Sequence, residues 1–207
     1  MAFFKRKPKP THAAAPAAPA APAVVDVPAT SGIAGDYTID ASHTRIGFVA
    51  RHAMVTSVQG SFKDFAGTAH LDDANPAASS VTLTIQTGSV DTGSADRDGH
   101  LVSADFFDVE NHPTATFVST SVRPDGDDYV LGGDFTLKGV TKPIDLKLEF
   151  NGVNPGMGHG EVAGFTATVV LNRKDFGVDV DMPLETGGTV IGDKVTITLE
   201  IEALKQA

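Results

Sequence analysis

From Gly35 onward, apolar and polar side chains alternate with a period of two. Val81, Leu83 and Ile85 are interleaved with Thr82, Thr84 and Gln86; Ile144, Leu146, Leu148 and Phe150 with Asp145, Lys147 and Glu149; Val195, Ile197, Leu199 and Ile201 with Thr196, Thr198, Glu200 and Glu202. A strand sends successive side chains to opposite faces, so these runs predict antiparallel strands with one apolar and one wet face. Shorter or less regular strands are predicted at 37–40, 45–52, 58–71, 114–122, 129–137 and 164–173. Turn chemistry separates many of them: Asp125-Gly126-Asp127, Lys138-Gly139, Asn154-Pro155-Gly156 and Gly187-Gly188.

The pattern amounts to about eight or nine strands with mostly short connections. A single helical segment is expected near 94–103, with Gly99 inside it and no acidic residue completing a capping box. Strands without intervening helices predict an all-β fold, an antiparallel barrel or sandwich, and a closed barrel removes the exposed edges that such apolar strands would otherwise present.

The first 34 residues read differently. Six of the 12 prolines fall within the first 28 residues, separated by runs of alanine. Proline fixes φ and removes a donor, so residues 1–34 are expected to form an extended, disordered tail ahead of a domain at 35–207. The basic start lacks the apolar stretch of roughly 7–15 residues that a secretory signal needs, which makes the cytoplasm the expected location. Phe3 and Phe4 beside Lys5, Arg6 and Lys7 form a weak candidate for transient contact with an anionic membrane surface; a solvated tail is the alternative.

Charge and composition narrow the chemistry. The net charge is −10, and beyond residue 35 there are 12 basic against 25 acidic side chains. Such a domain repels phosphate backbones, which argues against nucleic-acid binding. With no cysteine there is no disulfide, thiolate nucleophile or Cys-ligated metal. No run of about 18 apolar residues predicts a membrane-spanning helix. There is no Gly-x-Ser-x-Gly elbow and no phosphate-cradling loop. His43, His52, His70, His100, His112 and His159 show no i,i+2 or i,i+4 pair, and the acidic series Asp91 to Glu110 fails the calcium-loop template, so no metal is expected.

The strand periodicity supplies an inward set: large residues such as Phe48, Leu83, Ile85, Phe117, Leu137, Leu146, Leu148, Val169, Leu171, Ile197 and Leu199, with small Ala50, Ala115, Ser119 and Ala167 among them. An eight-stranded barrel is just wide enough for its own side chains or for one small ligand. Composition leaves a filled core and a greasy cavity both open; with no Trp and only two Tyr, any cavity is apolar.

Several blocks are more specific: Tyr37-Thr38-Ile39-Asp40, Ser42-His43-Thr44, Ile46-Gly47-Phe48, Arg51-His52, Gly60-Ser61-Phe62, Arg97-Asp98-Gly99-His100-Leu101, Asp105-Phe106-Phe107-Asp108, His112-Pro113, Gly133 through Pro143, and Asn172-Arg173-Lys174-Asp175-Phe176-Gly177. In this order and spacing, over about residues 35–204, the chain resembles the YceI-like family of polyisoprenoid-binding proteins. The resemblance implies an extended, lipocalin-like barrel of about eight strands with a short helical segment. It also implies a non-catalytic role: an apolar pore holding an isoprenoid chain or similar amphiphile such as a polyprenyl phosphate, a quinone tail or a fatty-acid derivative. Many relatives carry a secretion signal; here a proline-rich tail stands in its place.

On this reading the inward residues above, joined by Leu101, Phe106 and Phe107 around the helical segment, are the candidate ligand contacts. His43, Arg45, Arg51, His100 and Arg173 are candidate headgroup contacts, with structural bracing the alternative role for Arg173. No cofactor is expected beyond a bound lipid, and a homodimer is compatible with the sequence. Two other readings stay open: an enzyme using His43, His52 or His100 as acid–base inside the barrel, and a filled barrel serving as a structural or stress-related interaction module.

Overall fold

The computed structural model describes residues 32–156, 160–185 and 187–207. The expectations for residues 1–31 of the tail, including Phe3, Phe4, Lys5, Arg6 and Lys7, and for His159 lie outside them; residues 32–34, expected in the disordered tail, belong instead to the domain, where Ile33 is buried in its apolar core.

The strands are β1 (Gly35–Ile39), β2 (Arg45–His52), β3 (Thr56–Phe62), β4 (Phe65–Leu71), β5 (Ser80–Gln86), β6 (Val90–Asp91), β7 (Thr114–Asp125), β8 (Asp128–Leu137), β9 (Val140–Asn154), β10 (Val162–Asn172) and β11 (Ile191–Lys205). All pairings are antiparallel. Neighbours run β1-β4-β5-β7-β8-β9-β10-β11, and β11 pairs back onto β1, closing an eight-stranded barrel. Closure leaves this wall without a free edge.

The additional strands come from interruptions in the wall. One edge of β11 pairs first with β2, from Ile191↔His52 to Glu200↔Arg45, and then with β1, from Ala203↔Ile39 to Lys205↔Tyr37. β1 and β2 therefore run in tandem along the same edge. Their partners β4 and β3 do the same, as do β5 and β6 beyond them. Eleven strands thus occupy eight wall positions, three of them broken. Specific hydrogen bonds hold the breaks. The Thr44 hydroxyl accepts from the Glu202 N–H at 3.0 Å. The Ser89 hydroxyl accepts from the Lys63 and Asp64 N–H groups at 3.1 and 3.0 Å and donates to the Gln86 carbonyl at 2.7 Å. The continuous strand expected at 58–71 is therefore two strands, parted at Lys63-Asp64.

The expected turns appear where glycine supplies positive φ. Gly126 (φ 65°) turns β7 into β8, and Lys138-Gly139 (φ 50° and 74°) turns β8 into β9. Helix α1 (Ala95–Leu101) follows β6. Its Ser94 makes no side-chain cap. Instead, the Asp98 carboxylate accepts from the Thr92 N–H (2.9 Å) and hydroxyl (2.6 Å), fastening the helix to the end of β6.

Inward side chains form one large apolar cluster, including Leu83, Phe117, Leu131, Leu146 and Leu199, and a smaller one around Ile33, Tyr37, Leu71, Ala163 and Ala203 near the opposite barrel end. Three glycines in the wall decide how these side chains lie. A Cβ on Gly60 would stand 2.4 Å from the Phe48 ring; on Gly133, 2.4 Å from the Phe117 ring; on Gly67, 2.6 Å from Ile39 Cδ1. Each neighbouring side chain thus lies flat over a bare stretch of wall, not across the barrel, an arrangement known from strand glycines elsewhere. Gly60 and Gly133 are thus beds for aromatic rings.

A methyl group at Gly133 would meet the Phe117 ring and also the Val118 carbonyl at 2.6 Å, so backbone as well as side chain must shift. Gly133→Ala is expected to lower the unfolding free energy by about 1–3 kcal/mol, the usual cost of overpacking, measured by urea unfolding with an unchanged m-value.

Candidate functional site: an apolar bore in two chambers

Because inward and outward residues alternate on every strand, the barrel interior is paved by one face of each. It is hollow. A main chamber of about 190 Å³ is lined by side chains from β1 to β3, β5 and β7 to β11, with Leu101, Phe106 and Phe107 entering from α1 and the segment after it. A second chamber of about 90 Å³ lies toward the opposite end, among Ile33, Leu71, Tyr129, Leu148, Phe150 and Phe165. Ile39, Val81, Leu131 and Ile201 line both.

Thirteen of the fourteen candidate contacts face the main chamber: Phe48, Leu83, Ile85, Leu101, Phe106, Phe107, Phe117, Leu137, Leu146, Val169, Leu171, Ile197 and Leu199. Leu148 faces the second. Ala50, Ala115 and Ala167 also line the main chamber. Ser119 does not: it sits at the register shift between β7 and β8, where its hydroxyl accepts from the Val81 N–H at 2.8 Å. Lining residues outside the candidate set include Ile46, Phe62, Phe135, Phe176 and the four shared between the chambers, of which Val81 and Ile201 stand on apolar strand faces already evident from their spacing. The strand period signals Leu131 and Ile201; Phe176 comes from the short 3-10 turn Arg173–Phe176, which has no such signal.

Among the described residues, one charged side chain, Arg173, lines the main chamber. It is buried, and its guanidinium donates to the carbonyls of Val178 (2.7 Å), Gly192 (3.2 Å) and Ile191 (3.3 Å) and to the Asp193 carboxylate (3.2 Å). These bonds tie the segment after β10 to the start of β11. The fork geometry that lets one arginine serve several acceptors makes this a brace at the edge of the cavity.

The other four candidate headgroup residues are exposed and line neither chamber. Arg45 and Arg51 stand on the outer face of β2, in alternation with inward Ile46, Phe48 and Ala50, and Arg51 donates to the Met54 carbonyl at 2.8 Å. His100 packs edge-on against Phe106, with ring centroids 4.8 Å apart. His52 is exposed as well, so none of His43, His52 and His100 provides an acid–base group inside the bore.

His43 belongs to a polar clasp on the outer wall at the β1–β2 break. Its Nδ1 lies 2.9 Å from Asp40 Oδ2 and 3.5 Å from Glu202 Oε1. The Ser42 hydroxyl and N–H both donate to the other Asp40 oxygen. These bonds, that from the Ser42 hydroxyl foremost and then that from His43, hold the Asp40 carboxyl down at about 2. The hydrogen bond to Asp40, then the charge of Glu202, raises His43 above its ordinary 6.5. Asp40, His43 and Glu202 are the one grouping among the described residues with metal-ligand geometry, yet the Asp40 oxygens are already engaged by Ser42 and His43. Among the described residues, no helix is long and apolar enough to cross a membrane.

The clasp sets a pH dependence with opposite signs at its two ends. The His43 contribution to stability is present below pH 6.5 and is lost as pH rises through its raised midpoint; the Asp40 contribution is present above 3.8 and is lost as pH falls toward 2. An NMR titration is expected to place His43 above 6.5, and Asp40→Asn to bring it back down. At the buried brace, Arg173→Ala leaves the Val178 and Ile191 carbonyls without their donor and is expected to cost about 2–3 kcal/mol in chemical unfolding.

Comparison with known proteins places this architecture. Residues 37–203 match the model of the YceI-like domain. Protein YceI of Escherichia coli O17:K52:H18 is 46% identical over 156 residues, covering 74% of this chain and 82% of the relative. The UPF0312 protein ECA1782 of Pectobacterium atrosepticum is 44% identical, covering 74% and 81%. Among solved structures, the YceI protein of Campylobacter jejuni superposes with TM-score 0.65 at 29% identity, over 76% of this chain and 90% of that one. BcnA of Burkholderia cenocepacia gives TM-score 0.69 at 24% identity, over 79% and 98%. A polyisoprenoid binding domain from Saccharophagus degradans, implicated in plant cell wall breakdown, gives 0.61 at 17% identity, over 82% and 98%. The last two comparisons concern the fold alone. With its closed eight-position barrel, its hollow apolar interior and a domain match running almost the full length of the barrel, the chain belongs to the YceI-like family.

Proposed function

We propose that this protein binds, carries or stores a polyisoprenoid or a similar long-chain amphiphile in its barrel, without catalysing a reaction on it. One observation carries the reading: among the described residues, every side chain lining the main chamber is apolar except Arg173, whose guanidinium is engaged by the carbonyls of Val178, Ile191 and Gly192 and by the Asp193 carboxylate. A cavity with no polar partner gives water nothing to bond to, and its complement is hydrocarbon. The solved domain from Saccharophagus degradans, similar to this chain in fold alone, is described as a polyisoprenoid binding domain, and the same ligand class is proposed here. A polyprenyl phosphate, a quinone tail and a fatty-acid derivative all present such a chain. The hollow interior disfavours a filled-barrel module, and the outward histidines leave the acid–base alternative without its groups.

Energetics favour reversible carriage. Each methylene moved from water into an apolar site gains about 0.8 kcal/mol. A long isoprenoid would gain tens of kcal/mol, beyond the roughly 18–21 kcal/mol that noncovalent affinities reach. Its working reference is therefore a bilayer, where the tail is already buried and the apolar gain nearly cancels. Exchange is then governed by pocket shape and headgroup contacts. Transient membrane contact through Phe3, Phe4, Lys5, Arg6 and Lys7, pairing of two copies, a cytoplasmic location and a separate tail at 1–31 belong to this proposal; vesicle sedimentation, light scattering, fractionation and limited proteolysis check each in turn.

Native mass spectrometry of the full chain, gently purified and then offered a polyprenyl ligand, tests binding. Co-purified lipid or one-to-one uptake is the expected result. Val169→Phe, which puts a ring into the main chamber, is expected to reduce uptake at least tenfold with the fold retained by circular dichroism. Absence of both co-purified and added lipid on the unaltered chain overturns the proposal.

A further inference from the structure

The bore is not uniform. Ile39 on β1, Val81 on β5, Leu131 on β8 and Ile201 on β11 form a ring of residues shared by the two chambers; β1 and β11 are paired neighbours, and β5 and β8 stand two and four wall positions from β1. Ile39 leans against Gly67, where any larger residue would push it inward. The ring is thus held open at the wall but remains the boundary between about 190 Å³ on one side and about 90 Å³ on the other.

Size makes this boundary matter. A cavity of about 150 Å³ lined by Leu, Ile and Phe takes a single benzene ring. The main chamber therefore accommodates on the order of ten carbons of chain before the ring is reached. A longer chain has to pass between Ile39, Val81, Leu131 and Ile201. What lies beyond suits a hydrocarbon end. The second chamber runs up to the turn from Asp72 to Ser79, whose polar groups bond to one another. The Asp72 carboxylate accepts from the Ala74 and Asn75 N–H groups (3.0 and 2.9 Å), and the Asp72 N–H donates to the Ser79 hydroxyl (2.9 Å).

We propose that Ile39, Val81, Leu131 and Ile201 form a chain-length gate: a short prenyl chain seats wholly in the main chamber and ignores the ring, whereas a longer one threads it and places its apolar end in the second chamber. The headgroup then stays toward the Arg173 end. This rests on the lipid-binding reading above and adds to it a basis for discrimination by length. The strength of the gate follows from side-chain volume at Ile201, whose neighbours across β10 and β9, Phe165 and Phe150, line the second chamber behind it.

The test uses the full chain and two probes, geraniol with two isoprene units and farnesol with three, with uptake measured by native mass spectrometry. The unaltered chain is expected to take up both. Ile201→Phe is expected to weaken farnesol about tenfold more than geraniol, and Ile201→Ala to shift the ratio toward farnesol. Parallel changes for the two probes in both variants overturn the gate while leaving lipid binding intact. If Ile201→Phe loses both probes through misfolding, the Ile201→Ala ratio decides: an unchanged ratio overturns the gate. Failure of the unaltered chain to bind either probe removes the lipid-binding reading itself.

Discussion

The structure depends on closing a two-faced sheet onto itself. An antiparallel strand with period-two alternation must cover its apolar face, and an eight-position barrel does so by turning all those faces inward. Closure alone does not decide whether the inside is solid. That is set by what stands between the large side chains. Ala50, Ala115 and Ala167 leave gaps in the lining, and Gly60, Gly67 and Gly133 let Phe48, Ile39 and Phe117 lie against the wall. With larger residues at these places, the same alternation would pave a filled core.

The hollow is stabilised by its rim. Voids forfeit dispersion contacts, so a protein that keeps one needs rigid borders. Two tethers provide them at the main-chamber end: the Thr92–Asp98 link that holds α1, and the Arg173 guanidinium that ties the carbonyls after β10 to the start of β11. At the other end, the Tyr37 hydroxyl donates to the Ile33 carbonyl at 2.8 Å, and Lys205 pairs with Glu161 at 3.0 Å, lowering the glutamate and raising the lysine from their ordinary values. Polar chemistry is confined to the ends and the outer face, and the interior is left to hydrocarbon.

Much of this was legible in the chain because strand alternation is a local signal. Leu83 and Ile85, or Ile197 and Leu199, announce their common face by spacing alone, and all fourteen candidate contacts do stand in the bore. What escaped depends on register between distant segments. The break at Lys63-Asp64 lacks the usual Gly or Pro punctuation and is stabilised by Ser89, some 25 residues later. Phe117 over Gly133 is a cross-strand contact that no single run of residues encodes. The acceptors of Arg173 among residues 191 to 193 lie far along the chain, so its position at a strand end favoured a brace without naming what it holds. The division into two chambers arises only when β1, β5, β8 and β11 meet around one level.

Everything in this account returns to a dry, connected space inside the barrel. Xenon-pressurised crystallography of the ligand-free protein tests it most directly, because xenon enters apolar cavities and is displaced from filled or hydrated ones. Xenon density is expected in the main chamber among Leu83, Phe117, Leu146 and Ile197, with a second, weaker site beyond Leu131. Side-chain density filling the barrel without xenon, or a chain of ordered waters in its place, would contradict it.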